Sequence, residues 1–84
     1  MNPRVIDVKP SNDYTIILKF DNSEIRVFDV KPYLDYPFFQ ELKDEELFKA
    51  VRPSLGTVAW KNGQDFCPDM LYEESSEYSI NRTK

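Results

Sequence analysis

The sequence contains no histidine and only one cysteine, Cys67. Histidine is the side chain that most often serves as a general base, a proton shuttle or a metal ligand near neutral pH. A single thiol cannot form an internal disulfide or a thiolate-rich metal site, and this cysteine usage fits a reducing compartment. We therefore expect no metal and no cofactor.

Glycines and long apolar runs are also scarce. Two glycines are too few for a loop that cradles a phosphate group. No apolar stretch approaches the roughly 20 residues of a membrane-spanning helix. Residues 1–5 lack the apolar segment of a signal peptide. These absences, together with the lone cysteine, predict a cytoplasmic protein that does not associate with membranes.

The charge balance is acidic, with 15 acidic and 11 basic residues and a net charge of −4. Such a surface repels phosphate backbones, so we do not expect direct binding to nucleic acid. The hydrophobic content of 40% and the aromatic content of 14% are sufficient for a packed core. A chain of 84 residues is typical of one domain.

The first part of the chain is rich in β-branched and aromatic residues, which favour strands. It predicts strands over residues 4–10, 14–20 and 25–30. A two-residue loop at 22–23 would place Phe20 opposite Ile25, and would direct Ile25, Val27 and Asp29 to the core face. A longer loop stays open as an alternative, because Ser23 is poorly suited to the positive φ of a type I′ turn.

The second part of the chain predicts short helices and a hairpin. Asp44 as an N-cap and Pro53 as a stop signal favour a helix over residues 44–51. The pair at 62–63 is Asn-Gly, the preferred type I′ turn, and predicts a hairpin of residues 57–60 and 64–66 with Phe66 opposite Ala59. Pro68 then begins a short helix.

The whole pattern predicts an α+β domain over residues 1–74. Its small antiparallel β-sheet has the order β-β-β-α-β-β, with one main short helix and a C-terminal helical turn. Residues 75–84 are polar and without apolar periodicity, so we expect a disordered tail.

Three segments give the chain a family likeness. They are D-N-S-E-I-R-V-F-D from Asp21 to Asp29, the acidic helix ending at Leu47-Phe48, and W-K-N-G-Q-D-F-C-P-D-M-L-Y from Trp60 to Tyr72. Together they resemble an uncharacterised bacterial domain-of-unknown-function family, whose members are small solitary proteins or modules joined to a helix-turn-helix domain. The resemblance implies a small α+β fold with a helix between strands. It implies no catalytic residue.

Four aromatic residues lie within seven positions and form the first candidate site: Tyr33, Tyr36, Phe38 and Phe39. Exposed aromatic side chains are enriched at the cores of protein interfaces, so this segment is a candidate protein-binding patch. The alternative interpretation is a loop packed over the edge of the sheet.

The second candidate site combines Trp60 with Asp65. These two residues suggest a ligand pocket with a polar anchor. The structural alternative is that Asp65 accepts a hydrogen bond from the Trp60 indole, or from free amides at the start of the helix at Pro68. Asp29, Asp65 and Asp69 could also supply a pair of catalytic carboxylates, although Asp29 fits better as an acceptor for backbone amides near Pro32.

We expect a non-enzymatic interaction or regulatory module that binds another protein. The partner could be one member of a toxin–antitoxin-like pair, or a second copy that joins through an exposed sheet edge. The alternatives are a small-ligand sensor with a pocket near Trp60 and Asp65, and an enzyme with a carboxylate site. Cys67 is interpreted as a small, partly buried residue before a helix, because a nucleophile needs an adjacent base.

Overall fold

The structure is a computed structural model that describes residues 2–61 and 63–78. Within these residues the strands are β1 Val5–Pro10, β2 Thr15–Phe20, β3 Ile25–Asp29, β4 Arg52–Ser54, β5 Thr57–Ala59 and β6 Ser76–Glu77, and the α-helices are α1 Glu45–Phe48 and α2 Pro68–Glu74. Short 3-10 segments cover Asn12–Tyr14, Lys31–Tyr33 and Pro37–Lys43. The predicted α+β class with an antiparallel sheet is confirmed.

The main sheet has four strands in the spatial order β1-β2-β3-β6, and all its pairings are antiparallel. β4 and β5 form a separate ribbon, and its turn joins the edge of β1, where the Val5 amide donates to the Gly56 carbonyl at 3.0 Å. Ile16, Leu18 and Phe20 on β2 are fully buried and form the centre of the core. Segments that follow β3 close over this face of the sheet.

The hairpin between β2 and β3 has a three-residue loop, so the predicted register is wrong by one residue. The Phe20 amide donates to the Glu24 carbonyl and the Ser23 amide donates to the Phe20 carbonyl, each at 2.9 Å. Ser23 has a φ of 76° and occupies the left-handed position that follows a type I turn in such loops. This shift turns β3 over, so that Phe28 is buried, whereas Asp29 is exposed opposite Thr15.

The loop after Trp60 has the same hydrogen bonds. The Trp60 amide donates to the Gln64 carbonyl and the Gly63 amide donates to the Trp60 carbonyl, each at 2.9 Å. Gly63 takes the left-handed position with a φ of 93°, and Asn62 of the predicted turn lies outside the described residues. Because this loop is one residue longer than predicted, Ala59 lies opposite Asp65 and not opposite Phe66.

The fourth and fifth strands are therefore not the two halves of the predicted hairpin. β5 pairs with β4 across a tight turn at Leu55 and Gly56, both with positive φ. Residues 64–66 contribute an isolated bridge in place of a strand. The sequence order β-β-β-α-β-β still holds, and α2 and β6 follow it.

The main helix is shorter than predicted, since α1 ends at Phe48 and not at residue 51. Its N-cap is the predicted one, because an Asp44 carboxylate oxygen accepts from the Glu46 amide at 3.0 Å. After Phe48 the amides of Ala50 and Val51 bond three residues back, to Leu47 and Phe48, which tightens the chain before β4.

The packed domain continues past residue 74 and includes the first part of the predicted tail. Ser75 is buried, and β6 pairs with β3 through Arg26 opposite Glu77. The Tyr78 amide adds a bond to the Ile25 carbonyl at 3.1 Å. Hydrogen bonds from β3 thus order a polar segment that lacks apolar periodicity. Residues 79–84 of the predicted tail lie outside the described residues.

Replacing Ser23 by glycine should stabilise the protein. A non-glycine residue in the left-handed region costs about 1–2 kcal/mol, and glycine loses about 0.5–1 kcal/mol more chain entropy on folding. We expect a net gain of about 0.5–1 kcal/mol, or a rise in Tm of about 3–6 °C. Ser23→Ala retains the Cβ atom and is the matched control. Equal Tm values for the two variants in a thermal melt would contradict the prediction.

Candidate interaction surface

The aromatic residues of segment 33–39 pack around a ring that lies far from them in sequence. Pro32 is the second residue of the 3-10 segment that ends at Tyr33, and Pro37 begins the one that holds Phe38 and Phe39. The Phe66 ring stacks on Phe39 with centroids 4.8 Å apart and meets the edge of Tyr33 at 5.3 Å. Tyr33 also stacks on Phe28 of β3 at 5.6 Å. The segment is therefore anchored to the core through Tyr33 and Phe39.

Two rings of the same segment face solvent. Tyr36 is 57% exposed and Phe38 is 58% exposed, whereas Phe39 is buried and Tyr33 is half-buried. Tyr36 contacts Tyr33 with centroids 6.1 Å apart, and Phe38 contacts Phe39 at 5.0 Å. We call Tyr36 and Phe38, with the two rings behind them, the aromatic surface. One pair of rings packs inward, as the interpretation of a loop packed over the sheet expects, and the other pair is open to solvent, so the interpretation as a protein-binding patch stays a prediction.

Gln64 supports the aromatic surface and is a residue that the sequence analysis did not identify. Its side chain is buried, and its Nε2 donates to the Phe38 carbonyl at 3.3 Å and to a Glu41 carboxylate oxygen at 3.1 Å. Its Oε1 is buried and has no hydrogen-bond partner among residues 2–61 and 63–78. The loop after Trp60 thus fixes the backbone of Phe38. The sequence signal for this buried role is the position of Gln64 directly after Gly63, because the geometry of that loop directs the side chain of residue 64 inward.

Trp60 and Asp65 do not form a surface pocket. Trp60 is 1% exposed and its indole Nε1 donates to the Phe48 carbonyl at 2.9 Å. The prediction that this indole bonds to Asp65 is therefore wrong. Asp65 is exposed, and among the described residues its carboxylate makes no hydrogen bond, including to the first amides of α2. Trp60 and Asp65 are close in the sequence, but the fold places Trp60 in the core and Asp65 at the surface.

The remaining candidate residues lie apart from the aromatic surface. Asp29 accepts from the Lys31 amide at 3.0 Å, which is the predicted role near Pro32. Asp69 and Cys67 are both exposed, and Cys67 is the N-cap of α2 and not a partly buried residue. Across residues 2–61 and 63–78, no group of three or more cysteine, aspartate or glutamate side chains is placed to hold a metal ion.

A polar cluster on the other side of α2 holds the C-terminal segment to β3. Arg26 donates from Nε to Ser75 Oγ at 2.6 Å and from Nη2 to the Ser75 carbonyl at 2.8 Å. Its guanidinium carbon lies 4.4 Å from the centre of the Tyr72 ring. Tyr72 donates its hydroxyl to Glu24 at 2.6 Å, and Asn22 Nδ2 donates to the same carboxylate at 2.8 Å. We call these residues the Arg26 clasp.

Because Glu24 belongs to the Arg26 clasp, its protonation state affects the free energy of unfolding. The hydrogen bond from Tyr72, followed by that from Asn22, lowers the pKa of Glu24 below its ordinary value of 4.5. The Glu24 bond in turn raises the pKa of Tyr72 above its ordinary value of 10.0. A carboxylate with a lowered pKa contributes stability above its unfolded-state pKa, and this contribution disappears as pH falls through the folded-state pKa.

Tyr72→Phe should therefore raise the Glu24 pKa toward 4.5, because it removes the largest cause of the shift. The variant should be less stable than the original protein near about pH 7, and the difference should shrink as the pH falls to about 3. Carboxyl-carbon NMR titration of Glu24 and urea unfolding at both pH values measure the two effects. An unchanged Glu24 pKa in the variant would show that the hydroxyl does not act on this carboxylate.

The fold is that of a small α+β domain with two exposed rings, Tyr36 and Phe38, on an anchored segment. Residues 5–77 match the family model described as a protein of unknown function, DUF2442, and the chain belongs to that family. No curated protein matches the chain, and neither does any solved structure. Of the helices in the described part of the chain, none combines the length and the apolar character needed to cross a membrane.

Proposed function

We propose that this protein is a non-enzymatic interaction module that binds another protein through the aromatic surface. The observation that carries the proposal is the exposure of Tyr36 and Phe38, each more than half open to solvent on an anchored segment. Aromatic side chains are enriched among the residues that dominate binding energy at interfaces. Exposed rings on a rigid support bind with little loss of conformational freedom.

The support beneath the rings favours a binding role over accidental exposure. Tyr33 and Phe39 hold the two rings from below, and Gln64 holds the Phe38 backbone with a buried hydrogen bond. Gln64 also carries a buried acceptor that has no partner in the described part of the chain, a feature that costs stability. A segment selected only to cover the core would satisfy this amide and bury the rings.

A partner on the aromatic surface is favoured over one that joins at the sheet edge. β6 covers β3 at Arg26 and Val27, and the turn after β4 bonds to β1 at Val5. Both edges of the main sheet are thus partly occupied. The likeness to bacterial modules joined to helix-turn-helix domains supports a regulatory role, such as one half of a toxin–antitoxin-like pair in the cytoplasm, by analogy only.

The test compares a double variant, Tyr36→Ser with Phe38→Ser, with the original protein. A partner purified with the original chain in stoichiometric amounts should bind the variant at least about 30-fold more weakly, since two hot-spot rings are removed. Isothermal titration calorimetry measures the change. The Tm should change little, because both side chains are exposed.

The control is Leu55→Ser, which removes an apolar side chain that is 91% exposed at another place on the molecule. It should retain partner affinity within about twofold. Full affinity in the aromatic double variant would overturn the proposal, and so would a strictly monomeric protein for which no stoichiometric partner is found.

A further inference from the structure

Carboxylates from three segments of the chain lie near the aromatic surface. Asp35 directly precedes Tyr36, and its side chain is strongly exposed. Glu41 and the Phe38 carbonyl accept from the same Gln64 nitrogen, which places Glu41 beside Phe38. The third carboxylate is Glu74 at the end of α2.

Glu74 is placed near the aromatic surface by the contact between α2 and Tyr33. The Tyr33 hydroxyl donates to the Met70 sulfur at 4.0 Å. Glu74 lies one helical turn after Met70 and therefore on the same face of α2. Burial raises the pKa of Tyr33, and the negative charge of Glu74 raises that pKa further, in agreement with this placement.

The nearby cations leave the rim negative. Lys43 lies 3.8 Å from Asp35 in an exposed ion pair, which is weak and easily exchanged. Lys31 is directed away from the rim, since its Nζ pairs with Asp13 at 3.2 Å and with Asp29 at 3.1 Å. Asp35 and Glu74 thus add exposed carboxylates beside two open rings, and one loosely held lysine pairs with Asp35.

We infer that the aromatic surface docks a polypeptide segment of another protein that carries arginine beside apolar residues. This inference rests on the proposed function and adds the chemistry of the partner. The guanidinium group is planar, stacks on aromatic faces and bonds to carboxylates with two parallel N–H groups. Apolar neighbours of the arginine would cover the remaining ring surface of Tyr36 and Phe38. Lysine offers only a point charge and fits less well.

The sign of the rim excludes anionic occupants, because phosphate backbones and anionic lipid surfaces are repelled by it. The competing occupant is a second copy of this chain. The β4–β5 turn presents the exposed Leu55, whose carbonyl accepts from Arg4 Nη1 at 3.2 Å, and Arg52 is exposed on β4. This tip has the same chemistry, so self-association is a separate outcome of the test.

The first experiment uses three synthetic peptides with identical leucine positions and arginine, lysine or glutamate at the other positions. Each is titrated into the isotope-labelled full chain and followed by amide NMR shifts. The arginine peptide should perturb residues 35–41 and bind at least about tenfold more tightly than the glutamate peptide, with the lysine peptide between them. Its affinity should fall with added salt. Equal affinities for the arginine and glutamate peptides, or no binding of the arginine peptide, would overturn the inference.

The second experiment removes rim charge without touching the rings. Asp35→Asn with Glu74→Gln should weaken the arginine peptide about fivefold, as expected for two partly screened charge contacts. Asp7→Asn with Glu46→Gln changes the net charge equally on β1 and α1 and is the matched control, with an expected change of less than about twofold. Equal losses in the two double variants would show that only net charge matters, which overturns the inference.

The two proposals fail in distinguishable ways. If the natural partner is lost by the Tyr36→Ser, Phe38→Ser variant but kept by the rim variant, the partner chemistry is wrong and the proposed function stands. If both variants keep the partner, both proposals are wrong. If the protein self-associates with rising concentration in sedimentation experiments and Leu55→Asn abolishes this, the occupant of the aromatic surface is the β4–β5 tip of a second copy. A segment of another protein is then the wrong occupant.

Discussion

Phe66→Ala should destabilise the protein by about 3–5 kcal/mol, the largest effect that we expect from a single substitution. The buried Phe66 ring contacts four other rings: Phe28 at 5.0 Å, Phe39 at 4.8 Å, Tyr33 at 5.3 Å and Trp60 at 5.9 Å. Removal of the Phe66 ring leaves a cavity where β3, segment 33–39 and the loop after Trp60 meet. The neighbouring rings cannot move into this cavity without losing their own stacking contacts.

A domain of this length has a free energy of unfolding of about 4–13 kcal/mol, so the alanine variant is at risk of unfolding. Phe66→Leu keeps most of the volume and should cost about 1–2 kcal/mol. Urea unfolding followed by the emission of Trp60 measures both variants. The matched control is Phe38→Ala, the same chemical change at an exposed ring, with an expected cost of about 1 kcal/mol or less. Similar losses at positions 38 and 66 would contradict the central role of Phe66.

Arg26→Met should cost about 2–3 kcal/mol and should release the C-terminal segment from β3. The variant loses both bonds to Ser75 and leaves the buried Ser75 carbonyl without its donor. β6 is only two residues long, so its pairing depends on the Arg26 clasp. The amides of residues 76–78 should exchange with solvent much faster than in the original protein, while those of β2 keep their protection.

Two controls separate the geometry of the Arg26 clasp from its charge. Arg26→Lys keeps the positive charge but lacks the planar fork that reaches two Ser75 atoms, and it should be nearly as destabilising as Arg26→Met. Arg52→Met removes an exposed arginine from another strand and should change stability by less than about 0.5 kcal/mol. Full protection of residues 76–78 in Arg26→Met would show that β6 holds by its backbone pairing alone.

The first three strands and β5 were predictable because β-branched and aromatic runs favour extended chain whatever their partners. β4 was not, since Arg52-Pro53-Ser54 contains no such residue. Their register was not predictable, because it depends on the φ angle of one residue in each loop. Ser23 adopts a left-handed conformation that its side chain disfavours, and this choice shifts β3 by one position. β6 was not predictable, because it has no apolar pattern of its own. It is held in place through the hydrogen bonds from Arg26 to Ser75, the residue that precedes it.

The candidate surface was predictable as a cluster of aromatic residues, but not as a division between open and buried rings. That division depends on Phe66, which lies 27 positions after Phe39 in the sequence and reaches it only through the fold. The same reason explains the misassigned indole of Trp60. The prediction paired it with Asp65, five positions later in the sequence, but its acceptor is the Phe48 carbonyl at the end of α1.

The continuous contact of rings from the surface to the core has an optical consequence. Tyr36, Tyr33, Phe66 and Trp60 follow one another with centroid separations of 6.1, 5.3 and 5.9 Å. These short separations place the exposed Tyr36 close enough to the buried Trp60, the sole tryptophan of the chain, for excitation energy to transfer through space from the tyrosine to the tryptophan. A partner that covers Tyr36 would thus change tryptophan emission excited through tyrosine, while direct tryptophan excitation would change little. The protein carries its own dye-free reporter of occupancy.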